Sequence, residues 1–318
     1  MQQLKKLTLF ISLTLVGTHT ALAQEYPVKP IRLLAAGPSG GPDTVARLIA
    51  QGLAAPMGQQ LIVENRPSGV IPGEVVAKAA PDGYTLLVAS GILWTGSLMQ
   101  DTPYDPVRDF QPISLTSRQS NLLVVHPSLP VKSVKDLISL AKARPGELNY
   151  AAAGTGSSSH LAAELFKAMT GTSIVRIPYK ASALALNDLF GGQVQLMFAV
   201  AAAVMPHVKS GRLKALGVSS LRPTAQAPGL PTIADSGVPG YESVSMHGVF
   251  APARTSMSVV SRLNQEIVRF LKIPDVTEKF LSAGLETVGS SPDELAATMK
   301  SEMNRLGKVI KDAGIRAE

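Results

Sequence analysis

Short apolar runs alternate with helix-length stripes along this chain, and that alternation constrains the fold more than any other feature. Residues 31–36 form one apolar run, and residues 43–55 carry Val45, Leu48, Ile49 and Leu53 at helical spacing. A second run covers 61–63, a short helical stretch 74–80, and a third run 85–89. This βαβαβ order is the grammar of a mostly parallel sheet covered by helices. The pattern then repeats. Strands are expected at 122–125, 148–151, 174–177, 194–199 and 213–218. Helices are expected between them at 133–143, 158–170, 182–190 and 204–210, with Ser133 placed to cap the first. The C-terminal part reads as helices at 257–271, 275–283 and 292–312. Residues 122–125 and 244–251 are placed to cross between the two units, and two crossing strands make a hinge. The expectation is an α/β chain of two lobes, the first discontinuous (24–122 and 247–318) and the second continuous (123–246).

Residues 1–23 read differently. Lys5 and Lys6 precede an apolar run at 7–16, which at ten residues is too short for a bilayer that takes about 20. Ala21-Leu22-Ala23 then supplies the small residues of an export cleavage site. Cleavage after Ala23 is expected, leaving a soluble mature chain that starts at Gln24 and, in a bacterium with two membranes, resides in the periplasm.

Composition removes several function classes. The 318 residues contain no cysteine, which excludes disulfides, thiolate metal sites, cysteine nucleophiles and lipid on an N-terminal cysteine. Hydrophobic residues at 45% and charged residues at 17% supply a core and argue against disorder. The net charge of +7 is scattered and aromatics are only 5%, so there is no platform for nucleic acid. The surplus cations fit a solvated surface, with a preference for small anions as the alternative. The five histidines form no close ligand pair and no phosphate-binding loop motif occurs, so neither metal nor cofactor is expected.

Two loops could hold a ligand. Gly37-Pro38-Ser39-Gly40-Gly41-Pro42-Asp43 and Gly154-Thr155-Gly156-Ser157-Ser158-Ser159-His160 each follow a strand and open a helix. Both present backbone N–H groups at a helix N-terminus, where the helix dipole favours an anion, and hydroxyls add donors. One such loop per lobe would make a carboxylate clamp. The alternative is a pair of glycine-rich turns with capping side chains. His160 is either an imidazole aimed at a carboxylate or a polar residue at a helix start. Trp94, the only tryptophan, either lines the cleft or packs beside it. Gly37-Pro38-Ser39-Gly40-Gly41 also matches G-x-S-x-G, which keeps a secreted serine esterase using Ser39 as an alternative, although only one strand precedes it.

Several segments carry a family resemblance. They include Val63-Glu64-Asn65-Arg66-Pro67, Pro81-Asp82-Gly83-Tyr84-Thr85-Leu86, Tyr104-Asp105-Pro106-Val107-Arg108-Asp109-Phe110 and Ile177-Pro178-Tyr179-Lys180. On these the chain resembles the substrate-binding proteins of tripartite tricarboxylate transporters, also called Bug receptors, over nearly its whole mature length. The resemblance implies a type II periplasmic-binding-protein fold with hinged closure, and a non-enzymatic, monomeric receptor. Such a receptor delivers small organic carboxylates to a permease of one large and one small subunit. It also implies ligand contacts from Pro38, Ser39, Gly40, Gly41 and Asp43 in the first loop, and from Gly154, Thr155, Gly156, Ser157, Ser158 and His160 in the second. Further contacts are implied at Ser90 and Gly91 after the third strand, at Tyr179 and Ala181, and at Ala199. The family's usual glycine after Tyr-Lys is Ala181 here, and an acid usual after the Met-Phe pair is Ala199. Without that acid, a carboxylate lacking an amine is the expected ligand.

Overall fold

The computed structural model describes residues 26–37, 41–67 and 70–316. The expected export segment and its cleavage point, together with Pro38, Ser39 and Gly40, lie outside the described residues.

The first unit runs β1 (Ile31–Ala36), α1 (Gly41–Met57), β2 (Leu61–Arg66), α2 (Val70–Ala77) and β3 (Thr85–Ser90). β1 lies between β2 and β3 and is parallel to both. Its continuous apolar run has a simple cause, because both faces are covered. Leu33 and Ala35 pack with Val45, Ile49 and Leu53 of α1, whereas Leu34 packs on the opposite face with Val76 of α2. A short helix, α3 (Ile92–Thr95), and a 3₁₀ turn (Gly96–Leu98) follow β3.

β4 (Phe110–Val125) is a single strand of 16 residues, of which the apolar pattern had indicated only the last four. The second unit continues as α4 (Val134–Ala143), β5 (Asn149–Ala152), α5 (Ser158–Thr170), β6 (Val175–Pro178), α6 (Ser182–Phe190), β7 (Leu196–Val200), α7 (Ala201–Lys209) and β8 (Lys214–Val218). Ser133 caps α4 as expected, accepting from the Asp136 N–H at 3.1 Å. β5 is parallel to both β6 and β7. The chain returns through β9 (Val244–Pro252), then α8 (Met257–Leu271), α9 (Pro274–Ser282), β10 (Glu286–Thr287) and α10 (Pro292–Asp312). α8 turns Val260, Leu263 and Ile267 onto the core beside α1.

The sheet order is β2-β1-β3-β9-β4-β7-β5-β6, with β8 and β10 also paired to β4. Each half keeps three parallel strands, and the long connectors run antiparallel to them. β9 pairs with β3 and with residues 110–120 of β4, while residues 121–125 of β4 pair with β7 and β8. β4 is therefore shared by the two halves.

The shared region is polar. Ser114, Thr116, Ser117, Ser120 and Asn121 are all buried. Buried hydroxyls and amides need partners, and here they take over where two bulges interrupt the β4–β9 ladder. Thr116 Oγ1 donates to the His247 carbonyl at 2.8 Å, and Ser114 Oγ to the Ser290 carbonyl at 2.8 Å. Ser219 Oγ accepts from the Asn121 N–H at 2.9 Å and donates to the Ser243 carbonyl at 2.6 Å. One hydroxyl thus ties together three chain segments at the crossing.

α10 connects the halves as well. A capping box of Ser291 and Glu294 starts it. Leu295 and Met299 pack with Trp94 and Phe250, whereas Val309 packs with Leu123, Tyr150 and Phe198 in the second half. Between these, Leu306 and Ile310 meet Met99 and Leu161.

Candidate functional site

α1 begins at Gly41, just after the first candidate loop. A β-carbon on Gly41 would stand 2.3 Å from His247 Nε2, so only glycine permits this approach. His247 lies on β9 directly opposite Ser90 of β3. It is almost fully buried, with Nδ1 3.3 Å from Ser117 Oγ. Burial pushes its pKa down to about 4, so the imidazole is neutral. Asp43, in the first turn of α1, is buried too. It accepts from Asn65 Nδ2 at 2.9 Å and pairs with Arg47 at 3.0 Å. Asn65 Nδ2 also donates to the Ala36 carbonyl at 2.9 Å. Asp43 therefore braces the ends of β1 and β2.

At the end of β3, the Gly91 N–H donates to the Met246 carbonyl at 3.0 Å, holding Ser90 and Gly91 against β9. Trp94 is fully buried, its ring tilted against Phe250 at 6.2 Å, and belongs to the core.

The second loop is organised by its own side chains. Ser157 caps α5, accepting from the His160 N–H at 3.3 Å. The Gly156 N–H donates to His160 Nδ1 at 3.1 Å. That bond makes Nδ1 the acceptor and places the imidazole proton on Nε2. Burial, reinforced by the charge of Arg176, pushes the His160 pKa down to about 4. His160 thus staples the loop, and it takes up the Gly156 N–H. The Ser157 N–H is also spent, on the Gly154 carbonyl at 3.0 Å. The N–H groups of Ser158 and Ser159, in the first turn of α5, have no acceptor among the described residues. Gly156 has a φ of +76°, and a β-carbon there would meet Met99 Sδ at 2.9 Å, so this loop seats directly on the turn after α3.

A cavity of about 70 Å³ joins the two sides. Ser90 and Gly91 line it from β3, Gly156 and Ser158 from the second loop, and Ser243 and Ser245 from the start of β9. The hydroxyls of Ser90, Ser158, Ser243 and Ser245 have no hydrogen-bond partner among the described residues. α10 closes one wall with Glu302 and Arg305. Arg305 donates to Glu302 and to the Glu242 carbonyl, and burial raises the Glu302 carboxyl above its ordinary range. Larger hollows lie elsewhere, among them one of about 500 Å³ beside the end of α10 and one of about 480 Å³ behind the crossing strands, and neither touches a residue implied by the sequence.

The remaining implied residues sit at the strand ends of the second half, outside this cavity. The Tyr179 N–H donates to the Ala152 carbonyl at 2.9 Å, and its hydroxyl donates to Asp188 at 2.7 Å. Desolvation and then that carboxylate push the phenol up to about 12. Ala181 precedes α6 and is exposed. Ala199 is buried opposite Leu122, in an apolar cluster with Val124 and Leu189. Ser243, Ser245, Arg305, His247 and Arg176 escaped the sequence reading. They lie on β9, α10 and β6, far along the chain from the loops they meet, and no motif or spacing marks them. Among the described residues no group of three or more His, Asp or Glu is placed to hold a metal ion, and no helix is long and apolar enough to cross a membrane.

Comparison with known proteins places this arrangement. The family model for tripartite tricarboxylate transporter family receptors (TctC) matches residues 45–315. The chain belongs to this receptor family. BugT of Bordetella pertussis is 37% identical over 300 residues, covering 92% of each chain. Rpa4515 of R. palustris, solved with adipate, superposes with a TM-score of 0.78 at 38% identity, covering 92% of this chain and all of that one. MatC of Rhodopseudomonas palustris, solved with bound malate, gives a TM-score of 0.74 at 29% identity over 90% of this chain. This TctC receptor is a solute-binding protein and not an enzyme, which displaces the esterase alternative.

Proposed function

We propose that this TctC receptor captures a small dicarboxylate between its halves, in the periplasm, and delivers it to a permease of one large and one small subunit. The observation that carries this reading is the cavity in which Ser90 and Gly91 of one half face Gly156 and Ser158 of the other, lined by hydroxyls with no hydrogen-bond partner among the described residues. Unpaired donors at strand ends and at the start of α5 suit an anion. The family match and the adipate and malate of two structural neighbours point the same way.

On this reading the mature receptor starts at Gln24 and acts as a monomer. Its lobes are 24–122 with 247–318, and 123–246, hinged at β4 and β9. Residues 38–41 and 154–160 grip opposite sides of the ligand, with Asp43 bracing the first loop; Tyr179, Ala181 and Ala199 lie outside the cavity, and contacts from them would need the halves to close. With alanine at 199, no acid stands there to meet a ligand amine.

The test is a thermal-shift screen of carboxylates on the mature protein, followed by calorimetry, because a ligand that binds only the native state raises its melting temperature. Adipate or malate should raise it, and an α-amino acid of matched length should do so less. A melting temperature unmoved by any dicarboxylate would sink the reading.

A further inference from the structure

Arg176 is a cation next to the second loop with no paired anion among the described residues. It projects from β6, in register with Tyr150 of β5. Its guanidinium donates to Thr155 Oγ1 at 3.3 and 3.4 Å and to the Ala153 carbonyl at 3.3 Å. These contacts are longer than the ordinary N–H···O distance of about 2.9 Å, so they spend little of its capacity. Its Nε is shielded from solvent and has no acceptor in the structure. No carboxylate pairs with it among the described residues. The nearest acid on α5, Glu164, is occupied by the Tyr150 hydroxyl at 2.5 Å and by Lys167 at 2.7 Å. The charge of Arg176 is nevertheless felt at the loop, where it helps to keep the His160 imidazole neutral.

A partly buried guanidinium without a counter-ion is costly, because its desolvation is not offset by any paired charge. Guanidinium cannot shed its proton to escape that cost. A bound anion would supply the missing charge. Thr155 offers the route. Its hydroxyl oxygen accepts from Arg176, which leaves the hydroxyl hydrogen free for another acceptor, and its neighbour Gly156 lines the cavity where a ligand carboxylate would sit. Hydrogen bonds arranged in such a chain strengthen one another.

Resting on the carboxylate-receptor reading, we infer that Arg176 is the charge-supplying positioning residue of the second loop, acting on the ligand carboxylate through Thr155. It is a specificity determinant because the relay rewards a full negative charge and gains little from a neutral oxygen.

The test is calorimetric titration of the mature wild type, Arg176→Met and Arg176→Lys with adipate and with malate, each at low and high salt. Melting curves without ligand establish folding of each variant. Arg176→Met should weaken binding roughly tenfold or more, the scale of one charged hydrogen-bonding partner. Its affinity should also depend less on salt than that of the wild type, and Arg176→Lys should recover part of both. Arg176→Met binding like the wild type would overturn the inference. So would weaker binding with an unchanged salt dependence that Lys does not restore, since that marks a purely structural role. A wild type that binds neither probe nor any other dicarboxylate of the thermal-shift screen would remove the carboxylate reading itself, and this inference with it.

Discussion

His160 and His247 show how a single side chain can be read in two ways until its neighbours are known. Both sit at candidate ligand loops, and both are buried and neutral, with pKa values near 4 against an ordinary value of 6.5. The sign of the pH effect follows. Between those values the unfolded chain binds protons that the folded chain refuses, so stability is complete above about pH 6.5 and is lost as pH falls toward 4. At about 1.4 kcal/mol per pKa unit, each histidine withholds on the order of 3 kcal/mol at acid pH. Melting temperatures recorded from pH 7 to 4 should therefore fall less steeply for His247→Gln than for the wild type, and parallel curves would refute the buried neutral imidazole. Gly41 gives a second prediction at this scale. Gly41→Ala drives a methyl group into His247 and should cost about 1–3 kcal/mol in urea denaturation, as overpacking does. His247→Ala in the same chain should recover part of that loss. The glycines of both loops were legible as close-approach positions. That Gly41 approaches a histidine was not, since the contact joins α1 to β9 and leaves no local pattern.

At the scale of elements, most helices and short strands follow from periodicity and caps. α6, α8 and α10 lie where their stripes indicate, because each buries one apolar face locally, and α5 keeps its expected bounds although residues 159–166 are buried all round it. β4 is the exception. Residues 110–121 include Pro112 and Ser, Thr, Arg and Gln side chains, and no apolar run marks them as a strand. It is a buried strand because its hydroxyls find partners across the crossing and not within the segment. Ser219 is the sharpest case, bridging β4 to the start of β9. Ser219→Ala leaves a buried N–H and a buried carbonyl without their partner and should cost about 1–3 kcal/mol. Chemical denaturation would measure this, and a change below a few tenths of a kcal/mol would show that the bridge is dispensable. The same variant should alter ligand affinity, since it loosens the strands joining the halves.

For the whole molecule, the question is how the two halves move. β4, β9 and α10 all pass between them, and α10 contributes to the apolar clusters of both. A ligand can draw the halves together only through a higher affinity for the closed state. Adipate or malate at saturation should therefore lower the radius of gyration in solution scattering, together with the rise in melting temperature. An unchanged radius on saturation would mean that capture occurs without hinge motion. On the proposed hinged closure, the packing of Leu306 and Ile310 against Met99 and Leu161 would have to shift, and the last turns of α10 would move with the hinge.

The amino-acid sequence by itself determined the α/β class, the two repeated units, the two Gly/Ser loops and the absence of cysteine chemistry. These depend on local periodicity, backbone permissiveness and composition, which a linear chain displays directly. Only the tertiary structure decided that β4 is one buried strand, that α10 spans both halves, and that His160 staples its loop. It alone brought Ser243, Ser245 and Arg305 to the cavity and set Arg176 beside Thr155 with no paired carboxylate among the described residues. Each of these depends on which distant group lies within hydrogen-bonding reach, and that is a property of the folded arrangement rather than of any segment.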